Sequence, residues 1–499
     1  MTTLQPLRRH RQGLALFMTG LMFVSTLAPG LQAATGAWTL NANGDWTNPA
    51  NWQGGIVPNG VGDIAVFRND INGNRVINLD APITLGGIEI NDALGGNIFT
   101  LSGTNALTFD NGASTAFIRK FGSATDVISA PLTLTSNLNS AIHTGTLDIT
   151  GPSNAQVVLS GGGDLIKTGA GQLRVNASMF GYAGNFHVNF GTLAIGGFDT
   201  DTPYLGAGTG GFNLVGSGSA DRTNLQFRNN GTGNNGIIQY SGNNNVSVQG
   251  AVNIYVDRNY FNAANSGNTI ALNNLVMNGG ELRVTGGNNY GLRFDGTTSL
   301  LGQTNLIFPV TAASPITLAG PITDGGANRS LIKEGIGRLV VANSANSFGG
   351  VTAVKNGVLQ LTSGANLGGG VTYVNGGILT PYNAATLSGV TANGLVLVGQ
   401  LGTSRYSLPG IGISPTYGNI DSANQVNVNV PIAGMVLAID GGETNLTVTS
   451  DIDLAQVGGG SNRVWISNAL GLDRTFQGLV TPAPDGNIRL TSGGNTLII

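Results

Sequence analysis

The sequence predicts an all-β protein wound as a parallel β-solenoid, and three observations predict it. Glycine supplies 80 of the 499 residues, about 16% against ~7% in ordinary proteins. Charged residues are only 9% and aromatic residues 6%, while 41% are apolar; an ordinary soluble chain carries ~25% charge. Short alternating apolar segments recur along the chain without helical periodicity, and one long segment repeats. The same composition excludes other classes. With no cysteine there is neither a disulfide framework nor a cysteine metal site. A formal charge of −3 leaves no basic footprint for nucleic acid. Disorder pairs low hydrophobicity with high charge, the reverse of this chain. Glycine does not fall at every third residue, as collagen would require.

Residues 1–34 read as a secretory signal. Arg8, Arg9 and Arg11 precede an apolar run from Leu14 to about Leu27, and Ala28-Pro29-Gly30-Leu31-Gln32-Ala33-Ala34 follows. A basic stub, a short apolar stretch and then small residues make an export signal rather than a membrane span. Cleavage is expected after Ala33 or Ala34, which would leave 19 basic groups against 25 acidic ones. No later segment is long and apolar enough to cross a membrane as a helix, so the mature chain is expected to be exported.

The rest reads as strands and corners. Ile83-Thr84-Leu85, Leu132-Thr133-Leu134, Leu147-Asp148-Ile149, Val246-Ser247-Val248 and Leu446-Thr447-Val448 alternate apolar and polar residues, the mark of half-buried strands. Gly-Gly, Asn-Gly and Asp-Gly steps between them supply the positive φ of tight corners. Pro82, Pro131 and Pro315 each open an Ile/Leu-Thr-Leu strand, where a proline costs no ladder donor.

The repeat aligns without gaps at an offset of 166. Leu165-Ile166-Lys167-Thr168-Gly169-Ala170-Gly171-Gln172-Leu173-Arg174-Val175 matches Leu331-Ile332-Lys333-Glu334-Gly335-Ile336-Gly337-Arg338-Leu339-Val340-Val341. Ser178 then meets Ser344, Tyr182 meets Phe348, Gly184 meets Gly350, and Gly191-Thr192-Leu193 meets Gly357-Val358-Leu359. Repeats of this size mark stacked solenoid coils. At ~20–25 residues per coil and ~4.8 Å between coils the rod would hold about 20 coils and reach roughly 100 Å. The matching Lys167 and Lys333, with Gly169, Gly171, Gly191, Gly335, Gly337 and Gly357, are expected to serve the coil itself.

The pattern L-x-K-x-G-x-G-x-L-x-[LV] followed by V-x-x-G-x-L resembles the autotransporter-associated β-strand repeat, here at about 163–195 and 329–361. That repeat occurs in passenger regions of bacterial autotransporters and in other large exported surface proteins. The resemblance implies a right-handed, pectin-lyase-like parallel β-helix on the cell surface or outer membrane, and implies no activity. The tryptophan-rich stretch 35–92, with Trp38, Trp46, Trp52, Pro58 and Val66-Phe67, is similar to the module that often precedes such repeats. It is the candidate N-terminal cap that an open solenoid needs, and 93–499 is the expected β-helix. The chain ends on the apolar Thr496-Leu497-Ile498-Ile499, so it is expected to be either a fragment ahead of a membrane barrel or a passenger-like protein held some other way.

Chemistry has few places to reside. After the signal only His143 and His187 remain, and the lysines are Lys120, Lys167, Lys333 and Lys355. Extracellular β-helices that cleave acidic polysaccharides use clustered aspartates, which makes Asp451 and Asp453, on one strand face at i and i+2, the weak catalytic candidates. Sugar cleavage needs two carboxylates within ~5–10 Å and a raised pKa on one. Asp199 and Asp201 form a second, turn-like pair. Gly161-Gly162-Gly163-Asp164 is one isolated likeness to a calcium repeat, so no metal and no cofactor is expected. Trp38, Trp46 and Trp52 are either cap core or a stacking platform for sugar rings. The Asn243-Asn244-Asn245 run is either a turn or a ladder. The expected function is a structural or adhesive surface protein without enzymatic turnover, its partner a cell-surface glycan or another surface protein. The alternative is a polysaccharide lyase or glycoside hydrolase on the same scaffold.

Overall fold

The computed structural model describes residues 33–92, 96–216, 223–260, 264–398, 408–440, 446–469, 473–491 and 497–498. The expected signal segment lies outside them except for Ala33 and Ala34. The chain winds as a three-faced parallel solenoid. On the first face Thr35–Ala37 pairs with Ile64–Phe67, then Gly87–Ile90, Ala116–Lys120, Leu138–Ile142 and Leu165–Thr168. The second face begins with Gly44–Asp45, Arg75–Asn78, Phe99–Ser102 and Thr125–Ser129. The third runs from Ile83–Leu85 through Leu107–Phe109, Leu132–Leu134 and Val157–Gly161 to Ala177–Tyr182. It resumes at Ile237–Gln239 and continues to Val464–Asn468. Coils vary from 20 residues (Gln172 against Thr192) to 34 (Phe212 against Val246). The first and second faces fuse in two twelve-residue strands, Val246–Asp257 and Leu275–Gly286.

Parallel ladders and buried apolar columns follow from one geometry. Each strand puts alternate side chains inward, so in-register coils stack like on like. Leu339, Leu359, Leu379, Ile411, Leu437 and Ile466 form one such column, and none is exposed. Each buried Leu or Ile contributes about 1.5–3 kcal/mol. The sandwich or barrel that composition alone would also allow is not what forms, because the ladders are parallel; the sole antiparallel contact among the described residues is the isolated Trp38–Trp52 bridge. The three Pro-led strands all begin third-face strands, at Ile83, Leu132 and Ile316.

The structure differs from the sequence expectation in three respects. The boundary expected near residue 92 leaves no mark, since first-face pairing runs from Ile64 through Gly87 to Phe117 and Phe67 packs on Phe99 at 5.7 Å. One apolar cluster extends from Trp38 to Ala483, so the cap is the first coils of the rod rather than a separate module. A helix, Ala384–Ala392, replaces a first-face strand; Asn383 caps it by accepting from the Thr386 amide at 2.9 Å, and Leu387 and Val390 face the core. Finally, the two repeat copies sit on different faces. Leu165 belongs to the first-face ladder and Gln172 to the second. Leu331, its equivalent, pairs with Asn305, which pairs with Gly280 and so joins the second-face ladder, while Arg338–Val341 lies on the third. The intervening coils are unequal in length, so an offset of 166 residues leaves the second copy one face further round.

Candidate functional site

The repeat builds a corner around its lysine. Lys167 points inward at the end of its strand and is fully buried. Its Nζ donates to the carbonyls of Thr168 at 2.8 Å and Gly169 at 2.6 Å within its own coil, and to Phe190 at 3.2 Å in the next. Lys333 repeats the arrangement with Glu334 at 2.8 Å, Gly335 at 2.7 Å and Asn356 at 2.8 Å. An ammonium has three donors and no acceptor, so three carbonyls that no ladder uses are satisfied by one side chain, which ties consecutive coils together. The glycines serve the same corner. Gly169 and Gly335 have φ of 77° and 76°, and Gly191 and Gly357 have 72° and 63°. Gly171 and Gly337 are instead crowded, since a Cβ would stand 2.7 Å from Gly145 O and 2.4 Å from Thr311 O. Lys120 makes a related corner outside the repeat, donating to Gly122 O at 2.9 Å and pairing with Asp126 at 2.9 Å. Lys355 lies on the surface beside Glu334.

Burial pulls both repeat lysines down, to about 7 from the usual 10.5. The folded chain therefore gives up these protons more readily than the unfolded chain, which holds them until about pH 10. Between about pH 7 and pH 10 the unfolded state binds more protons and stability rises with pH; below pH 7 the full cost of burying the charge remains. Urea midpoints are expected to increase from pH 7 to pH 9.5, and a Lys167→Met, Lys333→Met double variant should lose most of that slope.

The tryptophans fill the end of the rod. Trp38, Trp46 and Trp52 are 2%, 0% and 3% exposed. Trp46 lies 4.9 Å from Trp52 and 5.7 Å from Phe67, edge to face. Each indole N–H is satisfied: Trp38 donates to Leu40 O at 2.9 Å, Trp46 to Pro58 O at 2.9 Å, and Trp52 to Trp46 O at 2.7 Å. No indole face meets solvent, so the sugar-platform expectation for these residues gives way to core filling.

The carboxylate candidates are occupied by local structure. Asp451 accepts from the Leu479 amide at 2.8 Å. Asp453 accepts from the Ala455 amide at 3.0 Å, capping the short 3-10 helix Leu454–Gln456. Asp201 holds Thr232 through its amide, at 2.9 Å, and its hydroxyl. His187 Nε2 is 3.0 Å from Asp164, which also accepts from the Asn185 amide at 2.7 Å, and His143 stacks on Phe121. Among the described residues no three His, Asp or Glu side chains are grouped to hold a metal. The asparagine run is both corner and ladder. Asn243 donates to Gly184 O at 2.7 Å, and Asn245 accepts from the side chain of Asn274 at 2.9 Å in the following coil.

Two charged clusters escaped sequence reasoning. Outside the second face Arg174 forms a forked pair with Asp148, beside a shallow cavity of about 280 Å³ that also meets Thr150, Asn176 and Tyr260. Arg228 pairs with Asp257 at 3.1 Å and lies 4.3 Å from the ring centres of Tyr255 and Tyr260. Tyr255 donates to Asp257 at 2.9 Å. These carboxylates are neutralised by arginines, an arrangement that fixes the Asp257–Tyr260 segment to the face rather than one that moves protons. The alternation of Gln226 with Arg228 and of Tyr255 with Asp257 was the available signal. Nearer the C-terminus Arg338 donates to Asp440 at 2.8 Å and to Gln360 at 3.0 Å, and Thr380 donates to Asp440 at 2.6 Å. Burial alone would raise the Asp440 carboxyl, but the adjacent Arg338 guanidinium holds it below the usual range. A contact spanning 102 residues has no sequence signal.

A three-faced solenoid whose coils are joined at a recurring lysine–glycine corner is the class that the fold and these corners define. The family model of the passenger-associated-transport-repeat matches residues 165–195 and 331–361, the two segments that carry Lys167 and Lys333. The chain is thus similar over those segments to the passengers of autotransporters. No curated protein and no solved structure matches the chain.

Proposed function

We propose that the chain is an exported, surface-displayed rod that works as a structural and adhesive passenger, without enzymatic turnover. The observation that carries this reading is the unbroken stack of coils, from the Thr35 ladder to the third-face strand Val464–Asn468, with passenger-type corners inside it. Such a rod projects a long, weakly charged surface, and outward Thr, Asn and Ser side chains suit many weak contacts. The basic, apolar and small-residue sequence of 1–34 supports export. In cells that produce the full protein, an antibody raised against the purified chain should label intact cells, and added protease should remove the label. Retention of all antigen inside protease-treated cells would reject surface display. Purified protein incubated with acidic and neutral polysaccharides should release no reducing ends. Release that disappears in an Asp451→Ala, Asp453→Ala double variant would establish the hydrolase or lyase reading instead.

A further inference from the structure

One column of outward side chains on the third face differs from the rest of the surface. Thr84, Thr108, Thr133 and Ser160 are in register on successive coils, with Thr133 and Ser160 hydroxyls 3.0 Å apart. Their spacing is that of parallel strands, ~4.8 Å. The next coil breaks the pattern with a bulge. Val158 pairs with Ser178 but Ser160 pairs with Gly181, so Met179 and Phe180 together oppose Leu159. Met179 turns into the core and Phe180 turns out, 80% exposed. Bulges re-aim side chains and occur beside functional sites. Phe180 then stacks on Tyr204 of the following coil, with ring centres 5.2 Å apart and planes 13° from parallel. Tyr204 sits where the third ladder is interrupted, held by a single bridge to Ser241. Its ring edge is backed by Gly242, where a Cβ would come within 2.8 Å of it. Val158 and Ile237, about half exposed, lie on the same face before and after the pair.

We infer that this column is a binding track for a neutral, extended polysaccharide, whose sugar rings stack on Phe180 and Tyr204 while its hydroxyls meet Thr133, Ser160 and the threonines beyond. The inference deepens the adhesive reading and rests on it. Three features select this partner. The column carries no charge from Thr84 to Tyr204, which leaves nothing to attract an acidic glycan. Its positions recur once per coil in a straight line, and the coil spacing is close to the length of one sugar unit in an extended β-linked chain, so a linear polymer can follow it. Its apolar part is limited to one aromatic pair with two flanking aliphatic residues, enough for the flat face of a sugar ring and small beside a stable protein–protein interface.

The test uses the purified full chain, sedimented with microcrystalline cellulose, chitin, an insoluble neutral β-glucan and, for contrast, immobilised polygalacturonate. Retention on at least one neutral polymer is expected. Phe180→Ala and Tyr204→Ala should each lower the affinity about tenfold, whereas Tyr373→Ala, an exposed aromatic on another face, should leave it unchanged. Phe180 is almost free of the core, so the variant's thermal unfolding should match the parent's and the loss reads as lost contact. Retention on no neutral polymer, retention on polygalacturonate alone, or equal retention by Phe180→Ala would overturn the inference. Because the assay is made on purified protein, those outcomes are separate from a failure of surface labelling on cells, which would reject display instead.

Discussion

Replacing Trp46 by alanine is expected to unfold the N-terminal coils while leaving the middle of the rod intact. Trp46 is wholly buried between Trp52 and Phe67. Its amide bonds to Asn78 O at 2.9 Å and its indole to Pro58 O, so it joins the first coil to the second. Truncating a buried Trp costs about 3–5 kcal/mol. In a solenoid each coil contacts only its neighbours, so the loss stays near the end where it is made. Hydrogen exchange should show residues 35–90 losing protection while 165–361 keep theirs, and Trp46→Phe should recover most of it. The freed ladder edge should then pair with other molecules, giving concentration-dependent assembly in sedimentation. A uniform loss of protection along the rod would show that Trp46 does not act as an end cap.

Lys333→Met is the second large effect. Methionine matches the lysine stem in bulk, so the packing is kept and the three carbonyls of Glu334, Gly335 and Asn356 lose their donor. A buried polar group left unsatisfied costs about 1–3 kcal/mol, and the variant should lose at least about 3 kcal/mol in urea denaturation. The loss should be greater at pH 9 than at pH 6, since at the lower pH the parent also bears the cost of a buried charge. Lys355→Met removes only a surface pair with Glu334, for which about 0.5 kcal/mol is ample. Equal effects at 333 and 355 would refute the corner role.

The sequence exposed the coil and its corners because both are local. The Lys-x-Gly-x-Gly spacing places donor and turn within five residues, and the Pro-led strands announce their own starts. Glycine at 191 and 357 belongs to the corner of the coil above, and the gapless repeat made that visible as well. What stayed hidden depends on how far the chain travels between coils. The rotation of the second repeat copy follows from coils of 20 to 34 residues, which no residue pattern sums. Arg338 meets Asp440 only after several coils. Phe180 reads as one more core aromatic until the bulge beside Val158 turns it outward. The three tryptophans could be placed at the cap by sequence, but which way their rings faced was settled by Phe67 and each other.

The one-face displacement between the two repeat copies has a bearing on what the rod presents. A motif fixed to a face would show the same side at every occurrence, like teeth on a rack. This motif is fixed to a corner, and unequal coils carry that corner around the axis, so the copy at Lys333 looks outward about one third of a turn from the copy at Lys167. Insertions or deletions in a single loop would change the bearing of everything beyond it without disturbing the stack. The loops thus set the compass direction of each contact surface, while the corners keep the mast straight.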